Sequence, residues 1–283
     1  MKKALWMSVL VLILGPIWLA CDDDHAVNSS NEYTAEEPFS YTVEVQDQTR
    51  FRLLGITGTI EMTGHPGTET ITISGHKRVG ASSTAEAQAH LGDIRIDVQD
   101  SEDEVLVRTI HQVDAEGRNY QVDYTITLPP DLEVRVSNQT GTVTVEQMEE
   151  DVRADVITGG VVLEEVDGDV RIDVITGSVI LDQLTGSADV DLATGTLVCR
   201  AFLPPEGVLD LKTITGSLSV QIPESTSAEL TASVTSGQIS ISNLPLQNPT
   251  VSNTYVSGQL GDGDGTITLQ VITGSMTIAG FSD

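Results

Sequence analysis

DVRADVITG (151–159), DVRIDVITG (169–177) and SADVDLATG (187–195) align without a gap at a spacing of 18 residues. The closing Thr-Gly or Ser-Gly pair recurs on both sides, with glycines at 141, 159, 177, 195, 216, 237, 258 and 274, so that successive spacings are 18, 18, 18, 21, 21, 21 and 16. A period near twenty residues belongs to architectures in which one small unit stacks on the next and buries its apolar face only against its neighbours.

The columns of the alignment bear this out. Seven residues before each glycine stand Val134, Val152, Val170, Ala188, Leu209, Leu230, Val251 and Ile267, and five before it Val136, Ala154, Ile172, Val190, Leu211, Ala232, Asn253 and Leu269. Between them lies a polar column beginning Arg135, Arg153, Arg171, Asp189 and Asp210. Alternation with period two is the mark of a strand with one buried face. A second strand follows each glycine, with Val143, Val161, Val179, Leu197, Leu218, Ile239, Leu260 and Met276 two residues on. Four residues on stand Val145, Leu163, Leu181, Cys199, Val220, Ile241, Asp262 and Ile278, so Cys199 is expected to be an inert core thiol. A reactive cysteine would need exposure and a basic or helix-terminal neighbour, which the column does not supply.

The corner itself needs a residue that accepts positive φ, which glycine does without a Cβ penalty of roughly 1 to 2 kcal/mol. The hydroxyl before it is expected to satisfy backbone groups left over at the bend. Asp155, Asp173 and Asp191 repeat four residues before the glycine, and in register they would lie about 4.8 Å apart. Stacked like charges cost energy unless paired or bridged. Arg153 and Arg171 on the same face are the expected relief, and weak divalent-cation binding is the alternative.

Upstream, FRLLGITGTIEMTG (51–64) carries the same corner at Thr57-Gly58, and ETITISGHKR and DIRIDVQD alternate in the same way. Residues 82–91 read as one short helix, with Ser83 as cap and Glu86 three residues on. Residues 105–110 and 120–128 are expected to form a hairpin arm leading into Pro129-Pro130, and the segment ending at Phe281 to form the last coil and close the end of the core. The whole of 39–283 is thus expected to be one all-β domain, a parallel β-solenoid with coils of 18 to 21 residues.

At the N-terminus, Lys2 and Lys3 precede an apolar run from Ala4 to Ala20 broken by Ser8, Gly15 and Pro16, the pattern of an export signal. It is too short and interrupted for a spanning helix of about 20 apolar residues. Leu19-Ala20-Cys21 resembles the lipobox of bacterial lipoproteins, whose cysteine becomes the lipidated N-terminus, and Asp22 after it resembles the enteric signal for inner-membrane retention. The resemblance implies that residues 1–20 are removed and that Cys21 holds the chain to a membrane; an ordinary secretory signal would instead leave Cys21 a free thiol. Residues 21–38 read as a flexible acidic tether. Removing residues 1–20 takes two lysines and no acid from a chain that carries 14 basic and 42 acidic residues and a formal charge of −28. Nucleic acid is therefore excluded as a partner, and with only Cys21 and Cys199 present no disulfide framework is expected.

Taken together, GTIEMTG with TITISGHKR, the junction ITLPPDLEVRVSNQTGTVTV, VQIPESTSAELTASVTSGQISI and the closing GDGTITLQVITGSMTI resemble the bacterial putative-adhesin family of exported β-strand-repeat proteins, over roughly residues 39–280. The resemblance implies a right-handed β-solenoid and a role in adhesion, surface scaffolding or envelope-stress signalling, and it brings no catalytic, cofactor or metal residues. The expectation is a non-enzymatic envelope lipoprotein, exported and membrane-anchored, that binds a protein or envelope polymer. The alternative is a polysaccharide-acting enzyme using Asp155, Asp173 and Asp191. All five histidines precede the repeat and none has zinc-ligand spacing.

Overall fold

The computed structural model describes residues 32–111 and 117–282. The expected export signal, Cys21 and the first part of the tether lie outside them. In chain order the first strands are β1 (Tyr33–Glu44), β2 (Arg50–Leu54), β3 (Ile60–Gly64) and β4 (Thr70–Ala81), followed by the helix α1 (Thr84–Ala89) and a 3-10 turn, Leu91–Asp93. Then come β5 (Arg95–Asp100), β6 (Glu104–Ile110), β7 (Asn119–Leu128), β8 (Glu133–Met148), β9 (Val152–Val166), β10 (Val170–Thr185), β11 (Ala188–Phe202) and β12 (Val208–Pro223). The chain ends with β13 (Ala228–Ser242), β14 (Gln247–Val251), β15 (Tyr255–Leu260) and β16 (Gly265–Phe281).

The sixteen strands of the described residues all join one open sheet. Its centre is the run β8-β9-β10-β11-β12-β16-β13, parallel throughout. Val170 pairs with Val152 on one side and with Ala188 on the other, so equivalent residues of the repeat are nearest neighbours across strands. Each long strand bends at its corner glycine. The inward columns on either side of the bend, Val152, Ala154 and Val156 before it and Val161 and Leu163 after it in β9, belong to one core with their counterparts above and below. Each such Val or Leu contributes roughly 1.5 to 3 kcal/mol through burial, and a single layer has no other place to bury it.

Cys199 stands in this core with no exposed surface, between Leu181 and Val220, and burial pushes its thiol up to about 12. α1 is capped by Ser83, whose hydroxyl accepts the Glu86 backbone N–H at 3.2 Å, as its sequence implies.

Four expectations are corrected. First, residues 33–38 of the expected tether belong to β1, which pairs antiparallel with β4 and is held there by Lys77–Glu37 and Arg78–Glu36 ion pairs at 3.0 and 2.6 Å. Polar composition did not mark a tether here because an edge strand exposes most of its residues. Second, β6 and β7 do not form a hairpin. β6 pairs with β2 and β5, and β7 with β3 and β4, so each extends a different arm, and they meet through the buried Thr109 and Tyr124 hydroxyls at 2.7 Å.

Third, the C-terminal strand is not the last layer. β16 inserts between β12 and β13, where Ile267, Leu269, Val271, Met276 and Ile278 are all buried. β13 fits the outer position better, because beyond its corner it alternates Ile239 and Ile241 with Gln238, Ser240 and Ser242 and leaves both isoleucines only partly covered. Phe281 accordingly sits beside β12, edge-on to Phe202 with ring centroids 5.6 Å apart and with the Arg200 guanidinium 4.7 Å over its ring. Fourth, Gly258 is no corner. It lies in β15, which runs antiparallel to β13 and places Gly258 opposite Leu230, while Val251 and Asn253 are exposed. Gly58 fills the missing place, directly against Gly141 at the other end of the column.

Candidate interaction face

Along the first arms of β8 to β12 two outward columns alternate with the core. The outer one runs Arg135, Arg153, Arg171, Asp189, Asp210, and the one nearer the bend Ser137, Asp155, Asp173, Asp191, Lys212. The register sets Asp155, Asp173 and Asp191 side by side in successive layers, with Lys212 next in line, so the carboxylates singled out from sequence are brought together. Arg153 lies 3.5 Å from Asp155 and 3.9 Å from Asp173, and Arg171 lies 3.6 Å from Asp173 and also pairs with Asp189. Lys212 pairs with Asp210 at 2.7 Å. The arginines thus bridge adjacent layers as expected, although such exposed pairs are each worth only about 0 to 1 kcal/mol.

Asp173, in the middle of the row, holds its proton above the usual aspartate range. Partial burial is the main cause; Arg171 opposes it, the Asp155 and Asp191 carboxylates reinforce it, and Arg153 opposes it. Among the described residues no group of three or more His, Cys, Asp or Glu side chains is arranged to hold a metal ion.

A second carboxylate row closes the turns between layers. Asp151 Oδ1 accepts the Asp169 backbone N–H at 2.9 Å, Asp169 Oδ1 accepts the Ser187 N–H at 2.9 Å, and Ser187 Oγ accepts the Val208 N–H at 3.3 Å. Here the side chain of one layer satisfies the backbone of the next, a structural use of acidity that the repeat pattern did not reveal.

Beside the Asp155 row runs the feature that sequence reasoning missed. Two residues before the corner glycine, Ile157, Ile175, Ile214 and Ile272 point to solvent with 50, 57, 52 and 51 % of their surface exposed, and Ala193 stands between the second and third. Together with Asp155, Asp173, Asp191 and Lys212, the members of this ladder in β9 to β12 line a shallow groove of about 460 Å³. The recurring Val-Ile-Thr-Gly held the signal: the valine is core, so the isoleucine after it must face outward.

The histidines lie elsewhere. His90 Nδ1 is 2.6 Å from Asp93, whose carboxylate also accepts the Tyr120 hydroxyl at 3.1 Å, and His111 stacks on Tyr120. Arg118 links Tyr120 and Glu86, so this network fastens α1 to β7. None of these residues lines the groove beside Asp155, Asp173 and Asp191.

No family model matches the chain, and no curated protein matches it. Solved structures do. A putative cell adhesion protein from Clostridium sporogenes is 13 % identical, with 87 % of this chain and 100 % of that one covered and a TM-score of 0.35. A putative adhesin from Bacteroides fragilis is 11 % identical, with 87 % and 97 % covered and a TM-score of 0.36, and one from Parabacteroides merdae is 10 % identical, with 86 % and 96 % covered and a TM-score of 0.28. These three solved structures are each described as a putative adhesin or putative cell adhesion protein.

Proposed function

We propose that the chain is a non-enzymatic envelope lipoprotein, anchored through Cys21, that presents the outer face of a right-handed β-solenoid of 18- and 21-residue coils to a macromolecular partner in adhesion, scaffolding or envelope-stress signalling. The observation that carries the reading is the exposed isoleucine ladder beside the Asp155 row, because contiguous apolar surface rimmed by polar residues is the mark of an interaction site. The register offsets of 18 and 21 residues between successive layers support the coil size.

The test is capture of envelope components on the full lipidated chain, with and without the paired changes Ile175→Asp and Ile214→Asp. Loss of a captured component with unchanged thermal stability supports the face as the binding site. Equal capture by both proteins places binding elsewhere, and capture of nothing removes the reading. The anchor has its own readout, because Cys21→Ser should move the protein from the membrane to the soluble fraction.

A second reading has one observation in its favour. The register sets the Asp155, Asp173 and Asp191 carboxylates side by side in successive layers, and neighbouring carboxylates are what polysaccharide cleavage uses. Cleavage of an envelope polysaccharide that is lost in Asp173→Asn would establish that reading.

A further inference from the structure

Read in spatial order from β8 to β13, the column two residues before the corner glycine runs Gln139, Ile157, Ile175, Ala193, Ile214, Ile272, Thr235. This order is symmetric about Ala193: one small residue at the centre, two isoleucines on each side, a polar residue at each end. The neighbouring outward column runs Ser137, Asp155, Asp173, Asp191, Lys212, Gln270, Ser233. Reversed against itself, it sets Asp173 against Lys212, Asp155 against Gln270 and Ser137 against Ser233.

We infer that the isoleucine ladder is the docking face for a second copy of this chain, related by a two-fold axis that lies along β11 and passes over Ala193. An isologous contact requires a surface complementary to its own inverse, and this face meets that requirement in the order of its apolar ladder and in the match of Asp173 with Lys212. Ile157 of one copy lies over Ile272 of the other, and Ile175 over Ile214, on either side of a hollow left by the two Ala193 methyls. Two Asp173–Lys212 pairs form between the copies. Within one chain these two residues stand two layers apart and do not pair with each other; Lys212 pairs there with Asp210, and Asp173 with Arg171 and Arg153, so the contact adds an inter-chain partner to each. The two Asp191 carboxylates face each other at the axis, each beside the Lys212 of its own chain.

Five layers spaced by about 4.8 Å make a contact about 19 Å long, which is short for a stable dimer and points to a weak association. The inference rests on the ladder being a docking face, as proposed above, and not on the lipid anchor.

The test uses the full chain in intact cells. Ala193→Cys places a thiol at the axis, where a short bis-maleimide should join two copies into a homodimer. Thr196→Cys, exposed beyond the bend, should stay monomeric, and the wild type, with Cys21 and buried Cys199, gives the background. Charge exchange then tests the symmetry: Asp173→Lys or Lys212→Asp alone should reduce the Ala193→Cys crosslink, and both together should restore it. A monomer with Ala193→Cys, equal crosslinking through Thr196→Cys, or no restoration by the double exchange overturns the two-fold contact. Crosslinking of Ala193→Cys to a different protein overturns self-docking while leaving the face as a binding site, and so separates failure of this inference from failure of the proposed function.

Discussion

Gly177 lies against Gly159 so closely that a Cβ on Gly177 would fall inside the van der Waals shell of the Gly159 carbonyl oxygen, and its φ of 151° is one that a side chain disfavours. Two independent costs meet at one position. The backbone of the next layer cannot retreat without breaking the ladder that pairs β9 with β10 on both sides of the corner. Gly177→Ala is therefore expected to destabilise the domain by more than about 4 kcal/mol, the range reserved for strain and overpacking that cannot relax. Urea unfolding should show it, and a loss below about 1 kcal/mol would mean that the layers can separate at the corner.

Asp169 stitches two layers rather than lining a site, since its carboxylate accepts the Ser187 backbone N–H at 2.9 Å. Removing the acceptor leaves that N–H to water, so Asp169→Ala should cost about 1 kcal/mol. Asp169→Asn keeps a side-chain oxygen and should recover most of it. Equal denaturation midpoints for wild type and Asp169→Ala would show the bond to be incidental.

The burial of Cys199, the layers, and their inward columns and corner glycines apart from those assigned around Gly258 were legible, because each depends on the pattern within one repeat unit. Pairing order was not. Every layer presents the same apolar columns to its neighbours, so local pattern cannot say that β16 belongs between β12 and β13, and the chance Ser257-Gly258 pair continued a 21-residue spacing through what is an antiparallel hairpin. The isoleucine ladder was half legible. Each Val-Ile-Thr-Gly shows an outward isoleucine, but Ile272 joins Ile214 only through the insertion of β16. In chain order the column reads Ile214, Thr235, Ile272, and its symmetry is lost. Asp155, Asp173 and Asp191 were found because they share one repeat unit and one spacing, which is the information a single sequence holds.

Asp173 gives the pH dependence a sign. Its pKa is raised in the folded chain, mainly by burial, so the folded state holds the proton more tightly than the unfolded one. The associated stability is present below the unfolded value and is lost as pH rises through the folded value. At neutral pH the charged carboxylate therefore works against the fold. Asp173→Asn should raise the denaturation midpoint at pH 7, and the gain should vanish at pH 3, where the wild-type residue is also neutral. A variant less stable than wild type at pH 7 would mean that the Arg171 and Arg153 pairs outweigh burial.

Thr213 occupies an inward column that also holds Asn138, Val156, Val174, Leu192, Val271 and Val234, and it is 2 % exposed. Its hydroxyl finds no hydrogen-bond partner, so it carries the desolvation cost of a polar group, about 1 to 3 kcal/mol, with nothing returned. Valine has nearly the same shape and is already the residue at this position in β9, β10, β16 and β13. Thr213→Val is expected to stabilise the domain by about 1 kcal/mol or more, read as a higher urea midpoint with an unchanged slope. The same change at Asn138 of this column should do the opposite, because its amide donates to the Gly58 and Thr140 carbonyls at 3.0 and 3.2 Å. If Thr213→Val destabilises instead, the hydroxyl has a partner, such as a buried water, and the column is not the dry interior that its other residues imply.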